Sequence, residues 1–178
     1  MSEIRYEVAP RSKVAIAALT TQLREMFGLN DPKLPVALLL EGYLPAALQN
    51  RYTFSVRDHR EMGQRHGYVD PSTGELALRE DVYDGICMGR GRDRFTACHE
   101  VGHFIMHGAG ALNRVRDGQK VQIFRCPEWQ ANEFASALLM PERMVRDCRL
   151  ISEVVERFGV SFDAADVRVR KLSMTLPP

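Results

Sequence analysis

"RFTACHEVGHFIMHG", residues 94–108, carries three of the chain's five histidines. His99, His103 and His107 recur at intervals of four, and Glu100 directly follows the first. At about 100° per residue on a helix, His99 and His103 stand roughly 40° apart, one turn from each other. Two imidazoles so placed can converge on a single ion, and nitrogen ligands at this spacing point to zinc. Glu100 is turned away from the first histidine and is expected to serve as general base toward water rather than as a ligand. At this chain's frequencies of His and Glu, an HExxH pattern arises by chance roughly 0.01 times. Histidines that merely pack on a helix are therefore the weaker explanation. Phe95, Val101, Phe104, Ile105 and Met106 give the same helix an apolar face to bury.

His107 lies one turn further on. The longer zinc-protease pattern places its third histidine ten residues after His99, where this chain has Ala109. His107 is therefore expected beside the site rather than in it, as a neighbour of a ligand or as a cation at the helix C-terminus.

A catalytic zinc usually takes three protein ligands and leaves one position open. The next helical stretch, "CPEWQANEFASALLMP" (126–141), offers Glu128 and Glu133. With Glu128 at 0°, the apolar residues Ala131, Phe134, Ala135, Leu138 and Leu139 cluster from about 240° to about 20°. Glu128 and Asn132 border that face, whereas Glu133, near 140°, points away and is expected in solvent. Glu128 is thus the expected third ligand. Asn132 is either a hydrogen-bond partner for a ligand histidine's second ring nitrogen or an ordinary surface polar residue.

The remaining sequence frames this site. Its 178 residues, 45% hydrophobic and 26% charged, suit one soluble domain spanning residues 1–178. Within it, residues 1–50 read as an N-terminal helical part, 51–145 as the core, and 146–178 as C-terminal helices. A net charge of +1 argues against nucleic-acid binding through bulk electrostatics. The N-terminal "MSEIRYEVAP" lacks the pattern of a secretory signal, and no apolar stretch reaches the ~18 residues needed to span a bilayer. Cys87, Cys98, Cys126 and Cys148 are widely spaced, as expected of free thiols in the cytoplasm. Helices are expected from Ser12 to Phe27, from Pro35 through "VALLLEGYL", from Arg94 to His107 with Asp93 as N-cap, and from Pro127 to "LLMP". Two more are expected over 142–157 and 162–173. Strands are expected at "RYTFSV" (51–56), through Leu78, and after a turn within "DGQKVQIF" (117–124). "REDVYDGICMGRGRD" (79–93) shows little regular pattern. Gly102, inside a helix, marks a close approach by another backbone.

"GRGRDRFTACHEVGHFIMH" (89–107), followed by "EWQANEFASALLMP" (128–141), resembles the ImmA/IrrE family of zinc metallopeptidases. The resemblance extends from "GYVDPSTGELALREDVYDG" (67–85) to "FGVS" (158–161). It implies an α+β, zincin-like fold with N-terminal helices, a small central antiparallel sheet, the HExxH helix and C-terminal helices. It also implies a zinc ion held by His99, His103 and Glu128, with Glu100 as base. Members of the family are typically bacterial or mobile-element proteins, and the implied substrate is a helix-turn-helix repressor. By fold analogy, substrate is expected beside Glu75–Leu78 as an added strand. The alternative is a non-catalytic, zinc-containing regulator that binds a partner protein or DNA. "ERFGVSFDAADVRVRKL" (156–172) resembles half of a helix-turn-helix, with Arg168, Arg170 and Lys171 on its second helix. With bulk charge near zero, closing the domain or docking a protein is the expected role of that segment rather than DNA contact.

Overall fold

The computed structural model describes residues 6–108, 111, 113–115 and 120–178. A short strand, β1 (Tyr6–Glu7), precedes α1 (Lys13–Met26), whose N-cap Ser12 accepts a hydrogen bond from the Ala15 amide. Gly28, at a φ of 63°, then turns the chain as a C-terminal stop residue should. The second helical segment begins as α2 (Val36–Leu38), widens into a π-helical turn at Leu39–Tyr43, and ends as α3 (Leu44–Leu48).

A three-stranded sheet follows, built from β2 (Thr53–Arg57), β3 (Gly67–Asp70) and β4 (Glu75–Arg79), with α4 (His59–Met62) between the first two. Its order is β2-β4-β3. The sheet is mixed, not antiparallel as expected: β3 pairs antiparallel with β4, but β2 pairs parallel with it. The connection through α4 and β3 brings the chain back alongside β2 in the same direction. A second consequence is that β4 is the central strand, so Glu75–Leu78 has no free edge. Among the described residues, β3 pairs on one side only.

The sheet has two chemically distinct faces. Leu76 and Leu78 are fully buried on the face that meets the HExxH helix. On the other, the Glu75 carboxylate accepts hydrogen bonds from Ser55 (2.6 Å), Arg57 (2.6 Å) and the Tyr68 hydroxyl (2.9 Å), tying all three strands together.

The stretch read as irregular contains α5 (Glu80–Cys87). It has no side-chain N-cap, which hid it from sequence rules, but Glu80 and Asp81 in its first turn suit the positive end of the helix dipole. The HExxH helix, α6 (Gly91–Met106), starts earlier than expected, with Arg90 rather than Asp93 at the N-cap position. Asp93 instead pairs with Arg90 at 3.1 Å. Gly91 is where the helix passes the chain at Val160, whose carbonyl carbon would lie 2.3 Å from an added Cβ.

Beyond α6, β5 (Asn113–Arg114) pairs antiparallel with β1. Of the turn and strand expected within 117–124, residues 117–119 fall outside the described residues; among the described ones no strand is found, and Ile123–Arg125 form a 3-10 turn. Pro127 opens α7 (Pro127–Leu139) at its first position, as expected. The helix expected over 142–157 is two: α8 (Glu142–Val145) and α9 (Ile151–Phe158). The second starts afresh because Glu153 reaches back to the Arg149 amide (2.8 Å) and the Pro177 carbonyl accepts from the Ile151 amide (2.8 Å). Gly159 ends α9 in the left-handed conformation, and α10 (Phe162–Lys171) is capped by Ser161.

α7 packs against both α1 and α6. Gly102 is the contact point with α6: an added Cβ would lie 3.2 Å from the Ala131 Cα and 3.1 Å from the Phe134 ring. At the C-terminal end of α7, two buried arginines donate to its last carbonyls, Arg24 to Leu138 (2.9 Å) and Arg168 to Met140 (3.0 Å). Burial lowers the pKa of both guanidinium groups. The four cysteines are free, and no helix of the described residues is long and apolar enough to cross a membrane.

Candidate metal centre

The close packing of α6 on α7 brings His99, His103 and Glu128 together. The two imidazole Nε2 atoms are 3.0 Å apart, and the Glu128 carboxylate oxygens lie 3.2 Å from His99 Nε2 and 3.3 Å from His103 Nε2. Ligands about 2.0–2.1 Å from a tetrahedral ion are about 3.3 Å from one another. Two nitrogens and a carboxylate at these separations therefore fit a zinc-sized cation in both spacing and donor chemistry. Glu128 sits in the first turn of α7, on the positive end of that helix. The imidazoles of His103 and His99 beside it hold its carboxyl well below the usual carboxylate range. At His99, burial disfavours the charged imidazole, but Glu128 and Glu100 nearby outweigh it and raise the pKa.

Glu100 stands beside this cluster, half-buried, on the sheet side of α6. Burial raises its pKa, the two histidines lower it, and Glu128 raises it again. Its side chain lies against β3, where an added Cβ on Gly67 would come within 2.7 Å of Glu100 Cγ. A cleft of about 320 Å³ opens over the cluster, with Gly67 and Val69 of β3 on one side and Tyr6 of β1 among its lining.

Asn132 is where the helical wheel places it, its Oδ1 3.0 Å from His99 Nδ1. His107 is buried, with Nδ1 3.0 Å from His103 Nδ1 and Nε2 3.1 Å from Gln130 Oε1. Both ring nitrogens are occupied, so His107 has none left for a metal or for an oxyanion. Burial lowers its pKa.

Glu133 does not reach solvent, contrary to expectation. It is 3% exposed and forms an ion pair with Lys171 of α10. The wheel defined one buried face from apolar residues alone, but α7 is covered on nearly every side. The same pair bears on the C-terminal helix. Lys171 binds Glu133, Arg168 binds the Met140 carbonyl, and Arg170 pairs with Asp166 at 2.6 Å. Each of the three basic residues on the second helix of that segment thus has an intramolecular partner.

Three residues at the site escaped the sequence reading. Gly67 left a signal, since a glycine within a strand marks close approach by another group. Gln130 and Tyr6 left none: one is a polar residue outside the apolar face of its helix, the other belongs to a two-residue strand.

A mixed α+β fold in which an HExxH helix directs two histidines toward a glutamate on the following helix is that of a zincin-like metallopeptidase domain. Residues 55–170, well over half of the chain, match the profile of the IrrE N-terminal-like domain, Peptidase_M78. The chain belongs to this peptidase family. No curated protein matches it.

Proposed function

We propose that the protein is a zinc-dependent regulatory endopeptidase, with His99, His103 and Glu128 as metal ligands and Glu100 as general base. The observation that carries this reading is the set of two imidazole nitrogens and one carboxylate in contact at 3.0–3.3 Å, with an ionisable, half-buried carboxyl beside them. A bound zinc ion would supply Lewis acidity, polarising the scissile carbonyl and lowering the pKa of water toward ~7. Glu100 takes a proton from the attacking water and delivers it to the amide nitrogen as the C–N bond breaks, so that water is divided between the new acid and the new amine. Asn132 orients the His99 ring. Tyr6 carries the one hydroxyl among the described side chains lining the cleft, which makes it our choice of donor to the developing oxyanion.

Substrate is proposed to bind as an extended segment along β3, whose outer edge is unpaired among the described residues. A helix-turn-helix repressor as the target follows from the ImmA/IrrE resemblance, and a cytoplasmic location accords with the free thiols. The experiment is cleavage of a mixture-based fluorogenic peptide library by wild type and Glu100→Gln, each with zinc content measured. Wild type should cleave at least one sequence, while Glu100→Gln keeps its zinc and loses at least 100-fold in rate, on the order expected for a lost general base. Equal activity of the two proteins would refute the assignment. No cleavage by zinc-loaded wild type would leave a regulator that acts by binding.

A further inference from the structure

We propose that Gln130 and His107 are positioning residues that lock His103 in the tautomer protonated on Nδ1, so that its Nε2 lone pair faces the metal site. The inference rests on the reading of His103 as a ligand, and it follows from where hydrogens can be.

Gln130 is completely buried. Its amide nitrogen donates to the Ala9 carbonyl and to the Phe124 carbonyl, each at 2.8 Å. Backbone carbonyl oxygens only accept, so both amide hydrogens are used and the amide cannot be turned over. Gln130 Oε1 must therefore be the atom facing His107 Nε2, at 3.1 Å. An amide oxygen accepts, so His107 carries its hydrogen on Nε2. A neutral imidazole has one N–H, which leaves His107 Nδ1 as an acceptor. That atom lies 3.0 Å from His103 Nδ1, which must be the donor. His103 Nε2 is then a bare lone pair, 3.0 Å from His99 Nε2 and 3.3 Å from Glu128.

The chain of obligations begins at backbone atoms of two separate segments. Ala9 follows β1, near the N-terminus, and Phe124 lies in the 3-10 turn before α7. These segments are themselves bonded, Arg11 N to Phe124 O (3.1 Å) and Val8 N to Arg125 O (2.9 Å). The N-terminal stretch, outside the family-matched region, thereby bears on the state of a histidine in the HExxH helix. His99 has no comparable lock, since its partner Asn132 lies on the exposed side of the site.

The test starts with metal-free wild type, ¹⁵N-labelled at histidine and held near pH 8, where ordinary imidazoles are neutral. Long-range ¹H–¹⁵N spectra should show His103 protonated on Nδ1 and His107 on Nε2. His103 protonated on Nε2, or averaging between tautomers, would overturn the inference without recourse to any variant. Gln130→Leu should then let His103 average and weaken zinc binding about 10–100-fold, measured by chelator competition. A folded Gln130→Leu with unchanged tautomer and unchanged zinc affinity would also overturn it. Because the spectra are taken without metal, failure of wild type to bind zinc would count against the proposed function and leave the tautomer result standing.

Discussion

Glu100 has to be a base in a place that disfavours its charge. Burial lifts its carboxyl above the usual range, so the fold favours the protonated form. The stability this group contributes is full below its unfolded pKa and is lost as pH rises through the folded one. In metal-free protein, Glu100→Gln should therefore raise Tm at pH 8 and leave it unchanged near pH 4. A lower Tm in the variant at pH 8 would contradict this. Tyr6 is the second residue whose chemistry can be isolated. With both nitrogens of His107 occupied, the phenol is the remaining side-chain candidate for the oxyanion among the described residues lining the cleft. Tyr6→Phe should lower kcat about 10²–10³-fold, the usual effect of losing one oxyanion donor, with zinc content and KM little changed. Undiminished kcat would remove Tyr6 from the mechanism.

At the level of elements, the site depends on how closely β3 and α6 approach. Gly67 does not adopt a positive φ, so it is space rather than backbone conformation that demands glycine there. Gly67→Ala should displace Glu100 and cut kcat at least tenfold, while the metal ligands, which lie elsewhere, keep their zinc. Full activity in that variant would show that Glu100 can move without cost. The far face of the same sheet supplies a stability test away from the metal. Hydrogen bonds from Arg57 and Ser55 lower the Glu75 pKa. Its contribution is present above the unfolded pKa and is lost as pH falls through the folded one. Glu75→Gln should lower Tm by a few degrees at pH 7, with the difference closing in acid. A pH-independent difference would mean that packing, not charge, is responsible.

The elements also show what sequence can reveal. α6 and α7 were legible because helical period fixes which residues share a face, and a cluster of His99, His103 and Glu128 drawn from two adjacent helices needs little else. The direction of β2 against β4 was not, since parallel pairing is decided by a connection and leaves no local pattern. α5 was missed for want of a capping side chain. The burial of Glu133 was missed because its partner, Lys171, lies 38 residues away in sequence on another helix.

Across the whole molecule, α7 organises the fold. Its N-terminal turn presents Glu128 to the histidines, its C-terminal carbonyls receive Arg24 and Arg168, and Glu133 at its middle is tied to α10. The N-terminal stretch, which carries no motif, is part of the same arrangement through the Ala9 carbonyl and Tyr6. Contacts made by backbone atoms leave no signature in residue type, which is why the sequence gives no hint of them. The two glutamates of α7 make the central claim separable from general stability. One is exposed and aimed at the histidines, while the other is buried and paired with a lysine. The deciding measurement is zinc content per chain in folded wild type, Glu128→Ala and Glu133→Ala. The predicted result is about one zinc in wild type, retained by Glu133→Ala despite a lower Tm from its broken ion pair, and lost in Glu128→Ala. A well-folded wild type that takes up no zinc, or a Glu128→Ala protein that keeps it, would contradict the account.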